Sequence, residues 1–333
     1  MKVGKLNSDD LKNIIEKNTS IKRNDVRIES RIGEDCSVVE FGDYECVITT
    51  DPITGTGSNL GKLAVNINCN DIASCGVEPL GIMVTILAPP DTKLEKINEI
   101  MREIDEETKK MNVQILGGHT EITDAVNRIV ISCTAIGKSP IGKAVATSGA
   151  QLGDDIIVTK FLCLEGTLIV VNDYYDTVSK FLSHQEIEEA MKYADSLSVL
   201  REGTLAGNYG VNSMHDITEG GILGAIWEIA EASGVGFELN KKLLPLSEIT
   251  LKVCHNIGVD PLRFISSGSM LITCKNGEKL VNILKSEGIN SAIVGKITQE
   301  KGILVDEGKR IEVLPPQRDE LFTIPEKVKK NCV

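Results

Sequence analysis

Apolar residues recur at helical spacing from Ser8 to Asn18, where Leu11, Ile14 and Ile15 share one side, Ser8 takes the N-cap position and acidic residues fill the first turn. The same period predicts longer helices over 58–75 and 94–111, separated by an apolar strand over 80–88. Shorter strands fit 36–39, 45–50 and 113–116. Residues 128–136 alternate, with Ile129, Ile131, Cys133 and Ala135 on one side. A turn-rich stretch over 137–153 then precedes a strand over 155–159, which places a domain boundary there. The expected division is 1–150, 151–320 and a flexible tail over 321–333. The second half reads as helices over 167–172, 185–191, 196–208, 221–232, 246–256 and 278–287. Strands over 236–239, 270–274, 292–296 and 311–313 separate them. Without strict β-α alternation, this order predicts two α+β domains rather than a doubly wound sheet.

Composition narrows the partners. The 333 residues are 41% apolar, enough for each half to bury its own core. The 48 acidic residues outnumber the 36 basic ones, and the net charge of -12 disfavours both nucleic acid and anionic membrane. The apolar run over 80–88 is about half the roughly 20 residues of a membrane span. The first residues lack the apolar core of a secretory signal, so a cytoplasmic location is expected. The nine cysteines are odd in number and contain no C-x-x-C pair, which favours buried free thiols.

The chemistry concentrates in carboxylates at the ends of apolar elements. Asp35 opens one predicted strand and Asp51 closes another, while Asp71 falls in the apolar stripe of its helix with Leu63, Ala64 and Ile67. Each alone also reads as a cap or turn residue. Three together point to a divalent cation, and oxygen ligands suit magnesium, which binds through carboxylates and substrate phosphates. Two glycine turns offer backbone donors for those phosphates: Gly117-Gly118-His119-Thr120-Glu121, and Asp216-Ile217-Thr218-Glu219-Gly220-Gly221 before a helix. The segment 55–63 fails the Walker A spacing because Thr56 and Leu63 occupy its required positions, but its Ser58 cap and Lys62 remain candidates near a phosphate. His119 and His215 lie in the glycine motifs and read equally as acid-base groups or as satisfied structural residues. Nothing has zinc spacing.

Gly33-Glu34-Asp35-Cys36-Ser37, Thr49-Thr50-Asp51-Pro52, Gly61-Lys62-Leu63-Ala64-Val65 with Asn70-Asp71-Ile72-Ala73, the Gly117 motif and the Asp216 motif occur in one order. That order resembles the aminoimidazole ribonucleotide synthase (PurM-like) superfamily over most of the chain, and its HypE-like hydrogenase maturation members in particular. The resemblance implies two α+β domains, a homodimer whose amino-terminal domains share a β-barrel, and ATP with magnesium in a cleft near the dimer interface. It implies that Asp35, Asp51 and Asp71 hold magnesium and phosphates, that Gly117, Gly118 and Thr120 line a phosphate loop, and that Asp216 enters from the second domain. Lys62, Gly220 and Gly221 join as phosphate-binding candidates. HypE-like activity implies ATP-dependent dehydration of a carbamoyl group on a carboxy-terminal cysteine, here Cys332, with a carbamoyl transferase and a HypC/HypD-like scaffold as partners. Several positions depart from the pattern. Val333 follows Cys332, His119 replaces an aspartate whose role Glu121 is a candidate to fill, Glu219 replaces the arginine of Thr-Arg-Gly-Gly, and Ser266-Ser267-Gly268 replaces Asn-Glu-Gly. A kinase or ligase acting on a diffusible small molecule and a non-catalytic dimeric nucleotide-binding scaffold therefore stand as alternatives.

Overall fold

The computed structural model describes residues 4–54 and 59–331. The first half contains α1 (Ser8–Asn18), β1 (Val26–Ile28), β2 (Ser37–Phe41), β3 (Tyr44–Ile53), α2 (Leu60–Ser74), β4 (Pro79–Ala88), α3 (Leu94–Met111), β5 (Gln114–Ile122) and β6 (Val130–Pro140). Its strands form one sheet in the order β1-β2-β3-β6-β4-β5, antiparallel except for the β4–β5 pair. α2 is buried along nearly its whole length, wedged between this sheet and α3. Gly61 permits that fit, because a Cβ there would lie 2.5 Å from the Ile100 carbonyl oxygen. α3 is amphipathic and turns Ile100 and Ile104 into the core.

The second half contains β7 (Asp155–Thr159), α4 (Leu164–Asp173), α5 (Tyr175–Val178), α6 (His184–Met191), α7 (Leu200–Tyr209), β8 (Ser213–Asp216), α8 (Gly221–Ser233) and β9 (Gly236–Asn240). It continues with α9 (Glu248–Ile257), β10 (Met270–Cys274), α10 (Gly277–Ser286), β11 (Ser291–Thr298), β12 (Ile303–Asp306), β13 (Lys309–Glu312) and α11 (Ile324–Asn331). The sheet order is β13-β12-β9-β11-β7-β10-β8, with β12–β9 the parallel pair. The architecture is thus α+β with two mixed sheets. No helix among the described residues is long and apolar enough to cross a membrane. The eight described cysteines are free thiols, all but Cys46 buried.

The halves meet along α2 and α7. The Asn70 side chain donates to the Leu197 carbonyl at 2.8 Å and accepts from the Val199 amide at 2.9 Å. A Cβ on Gly203 would fall 2.2 Å from the Ala73 carbonyl oxygen, so the two helices touch backbone to backbone. Leu164, Leu168 and Leu197 complete the first half's core.

Four sequence expectations change. Asn7, rather than Ser8, caps α1 by accepting from the Asp10 amide. β5 does not end at 116 but runs through the glycine motif to Ile122. β1, β8 and β12, of three, four and four residues, are too short to show an alternating pattern and add to the expected strands. Finally, the expected flexible tail is largely structured: Leu321 and Ile324 are buried in the second core, and α11 follows. Within one chain the first sheet stays open, with β1 and β5 as its edges, and forms no closed barrel. The buried anchor yields a test: Ile324→Ala should lower unfolding stability by about 2–5 kcal/mol in urea titrations, whereas a loose tail would leave it unchanged.

Candidate active site

A cleft of about 720 Å³ lies between the halves, a size suited to a small-molecule ligand. Asp35, Asp51 and Asp71 line it from the first half, Thr218, Glu219 and Glu228 from the second, and Lys5 from the amino-terminal segment. The loop before β2 places Asp35. Gly33 holds a φ of +82°, and a Cβ there would come 3.0 Å from the Glu228 carbonyl, so the loop can lie directly against α8. Next to it, the Glu34 carboxylate accepts from the Thr147 and Ser148 amides at 3.0 and 2.9 Å and pins the loop. β3 extends past its expected end to present Asp51, whose amide donates to Asn68 Oδ1 of α2 at 2.9 Å. Asp71 is buried on α2, where Thr49 Oγ1 donates to its Oδ2 at 2.7 Å.

β8 brings His215 and Asp216, both buried, up against Asp35, although neither lines the cleft itself. His215 Nδ1 lies 2.6 Å from the Asp216 carbonyl oxygen, which can only accept, so this nitrogen carries a proton. Its Nε2 sits 3.3 Å from Asp35 Oδ2 and 3.2 Å from Glu228 Oε2. Burial alone would lower the imidazole's pKa, but the two carboxylates outweigh it and push it up to about 10. The ring is therefore an imidazolium at neutral pH. Burial alone would raise Glu228, but His215 and Lys5 hold it down at about 2.

The remaining acids are less well compensated. Both Asp216 carboxylate oxygens and Asp35 Oδ2 are buried without a hydrogen-bond partner. Burial and the nearby Asp35 charge push Asp216 up to about 7. Enclosure by the cleft walls and the same Asp35 charge raise Asp51 to about 6. Burial, then Asp216, Asp35 and Asp51, drive Asp71 well above the usual carboxylate range. Ligand atoms of Asp35, His215 and Asp216 lie within 4.8 Å of one another. Because Nδ1 carries a proton, His215 could offer a cation only Nε2, which already faces Asp35 and Glu228, and the donors not engaged in this way are the Asp216 carboxylate oxygens.

The structure brings together Asp35, Asp51, Asp71 and Asp216, but not the other candidates. Lys62 Nζ points to Asp195, 3.1 Å away, and does not line the cleft. Gly220 and Gly221 serve the turn into α8: their φ values are +87° and +61°, and a Cβ on Gly221 would lie 2.7 Å from the Leu262 oxygen. The Gly220 amide, expected to face a phosphate, donates to Asp319 Oδ2 at 2.7 Å. Gly117, Gly118, His119, Thr120 and Glu121 lie on the exposed edge strand β5. Registers run Asp51–Cys133–Val84–Gly118, three strand spacings or about 14 Å across the sheet. Gly118 is explained by packing, since a Cβ there would meet the Val84 oxygen at 1.8 Å. His119 pairs with Glu121 at 3.2 Å in solvent. Cys332, Ser58 and the glycines at 55 and 57 lie outside the described residues. Glu228 and Lys5 are the site residues that sequence reasoning missed. Glu228 gave the same signal as Asp71, a lone carboxylate on a core-facing helix.

Residues 33–139 match the family described as AIR synthase related protein, N-terminal domain, and residues 152–307 match its C-terminal domain family. The chain belongs to the AIR synthase related proteins. It is 31% identical to a putative hydrogenase expression/formation protein of Methanocaldococcus jannaschii, over 94% of each chain. It is 24% identical to the carbamoyl dehydratase HypE of Rhodobacter capsulatus, over 82% of this chain and 79% of that one. Two solved structures share the fold. One is AaThiL complexed with AMPPCP and TMP (TM-score 0.76, 20% identity, 96% of this chain and 99% of that one). The other is a HypE–HypF complex (TM-score 0.71, 22% identity, 91% and 99%).

The raised acids give a pH test. A carboxyl with a higher pKa folded than unfolded binds more protons when folded, so stability falls as pH rises from about 4 toward its folded value. For Asp51 and Asp216 that window closes near 6 and 7. His215 extends the loss from about 6.5 toward about 10, because its raised pKa is lost in the unfolded chain. Urea midpoints in chelator should therefore decline from pH 5 to 9. Asp216→Asn should flatten the acid part of that decline, and an unchanged slope would contradict the burial of Asp216.

Proposed function

We propose that the chain is a HypE-like enzyme that uses ATP and magnesium to phosphorylate and dehydrate a carbamoyl or amide group. The observation that carries this reading is the convergence of Asp35, Asp51 and Asp71 on one cleft with Asp216 buried within reach of Asp35, both Asp216 carboxylate oxygens having no hydrogen-bond partner. Such oxygens need a cation, and an all-oxygen set fits magnesium with phosphate ligands completing its shell. Asp35 and Asp216 would hold the metal, with Asp51 and Asp71 beside it. The nucleotide reading draws on the AMPPCP complex of the AaThiL fold relative, and the carbamoyl reading on the relatives named carbamoyl dehydratase.

A magnesium ion held there supplies positive charge against the phosphate oxygens. The chain's own residues do the positioning. His215 keeps its Nε2 toward Asp35 and Glu228 and fixes both, and Thr49 orients Asp71. Asp71 and Asp216 carry protons more readily than ordinary carboxyls, which softens the repulsion within the cluster, and a bound cation would favour their ionised forms. In the reaction, the terminal phosphoryl group moves from ATP to the carbamoyl oxygen. The C–O bond then breaks and the oxygen leaves as inorganic phosphate, while nitrogen gives one proton to that phosphate and one to solvent and forms the carbon–nitrogen triple bond of a nitrile. Phosphorylation turns a poor leaving oxygen into a good one, and catalysis is mostly positioning and charge neutralisation.

In this reading Cys332 carries the carbamoyl group, a HypF-type carbamoyl transferase loads it, and a HypC/HypD-like scaffold receives the product. The HypE–HypF complex of the fold relative supports the first partner. The reducing cytoplasm suits the free thiols, and two domains dividing near residue 150 suit the two family matches. A homodimer that closes a barrel is favoured by the exposed edge strand β5 and by Leu80, Met83, Leu116 and Ile122, all exposed on β4 and β5.

Two experiments test this. Asp35→Asn and Asp216→Asn should each cut magnesium-dependent ADP release by about 100-fold or more while the protein stays folded. Intact-protein mass spectrometry after incubation with a carbamoyl donor system and ATP should show a carbamoyl adduct that loses one water, absent in Cys332→Ala. A phosphorylated or ligated small molecule with unmodified protein would instead establish the kinase or ligase alternative. For the dimer, sedimentation should give twice the chain mass for the wild type and the single-chain mass for Leu116→Glu. A wild-type monomer would refute it.

A further inference from the structure

Three basic residues line the cleft: Lys5, Arg31 and Arg128. Arg31 turns toward Glu29, 3.3 Å away. Lys5 faces the acids. Its Nζ donates to Glu228 Oε1 at 3.2 Å, and the other Glu228 oxygen lies 3.2 Å from His215 Nε2, itself 3.3 Å from Asp35. Two side chains thus separate this ammonium from the candidate metal ligands.

The backbone that carries Lys5 is deliberately placed. Its amide donates to Glu219 Oε2 at 3.2 Å. Gly4 holds a φ of +120°, and a Cβ there would stand 3.1 Å from the Phe322 ring, so only glycine lets the chain lie so close. Further along, Lys12 pairs with Glu231 at 3.6 Å. No α1 residue with described burial is buried, so the segment lies over the cleft mouth rather than in the core.

Position 219 is where the resembling motif carries arginine. This chain puts an acid there, and the acid grips the amide of a residue whose side chain is a cation. The positive charge absent from 219 is restored at 5, from a different stretch of chain. The side chain of Lys5 is 47% exposed and that of Glu228 only 9%, so the ammonium compensates a buried carboxylate on one side while its other side stays open to the cleft.

We propose that Lys5 is a catalytic residue: its ammonium contacts the terminal phosphoryl group of the bound nucleotide and donates hydrogen bonds to its oxygens during transfer, remaining protonated throughout. The inference rests on the ATP-using reading above. An ammonium aimed where charge develops acts mainly on the transition state, and its removal costs turnover more than binding.

The test compares wild type, Lys5→Met, Lys5→Arg and Lys12→Met by steady-state ATP turnover and by calorimetric titration with magnesium and AMPPCP. Lys5→Met should lower kcat by about 100-fold with KM for ATP changed by less than about threefold. Lys5→Arg should recover part of the loss, since it keeps the charge but not its point geometry. Lys12→Met, which disturbs the same segment away from the cleft, should match wild type. The proposal is overturned if Lys5→Met keeps kcat within about threefold of wild type, if its loss lies wholly in KM, or if Lys12→Met loses as much. Wild type that neither binds magnesium-AMPPCP nor releases ADP would overturn the ATP-using reading, and this inference with it. Active wild type matched by Lys5→Met would overturn the Lys5 assignment alone.

Discussion

Carboxylates repel one another, and this protein holds several of them close together in and beside one cleft. Asp35, Asp51, Asp71 and Asp216 come from a loop, a strand, a helix and a strand of the other half, so nothing local forces them together. Their approach is tolerated for two reasons. His215 is an imidazolium wedged between Asp35 and Glu228, and burial with mutual repulsion makes Asp216 and Asp71 hold their protons more readily than ordinary carboxyls. Both compensations are incomplete, since the two Asp216 carboxylate oxygens are buried without a hydrogen-bond partner and Asp35 Oδ2 meets His215 only as an ion pair at 3.3 Å. A site left in that condition is prepared for a cation.

The framework that maintains this condition is the junction of α2 with α7. α2 carries Asp71 on a helix that is buried on nearly every side, and Asn70, one residue earlier, is bonded to the backbone at 197 and 199. The contact that joins the halves therefore also fixes the acid between them. Gly33 and Glu34 do the same for Asp35, tying its loop to α8 and to the turn at 147–149. Because the supports are backbone contacts and amide-carboxylate bonds, the site should be rigid before any ligand enters. Lys5 is different: it comes from a segment at the surface, which is where a group that must follow a substrate would be placed.

Much of this was legible in the sequence, and the failures have physical causes. α3 and β7 fall where periodicity puts them, because an amphipathic helix and an apolar strand announce their period. β8 was invisible because its four residues, Ser213 to Asp216, are all buried although three are polar, so function has overwritten the pattern. A carboxylate within an apolar stripe marks Asp71 on α2, and Glu228 on α8 carries the same mark. The glycine motifs misled for the opposite reason. Gly118 and Gly221 are demanded by backbone atoms within 1.8 and 2.7 Å of where a Cβ would go, and the sequence does not distinguish that demand from phosphate binding. Lys5 could not be found at all from spacing, since it meets its partners 214 and 223 positions later.

The most direct measurement is an anomalous-scattering map from crystals grown with manganese and AMPPCP. Manganese accepts the same oxygen ligands as magnesium and reports its own position. We expect one strong peak coordinated by Asp35 and Asp216, with the triphosphate entering the cleft between the halves. A peak elsewhere, or a nucleotide lying along β5 with the carboxylate cluster still vacant, would contradict the assignment of this cleft as the active site.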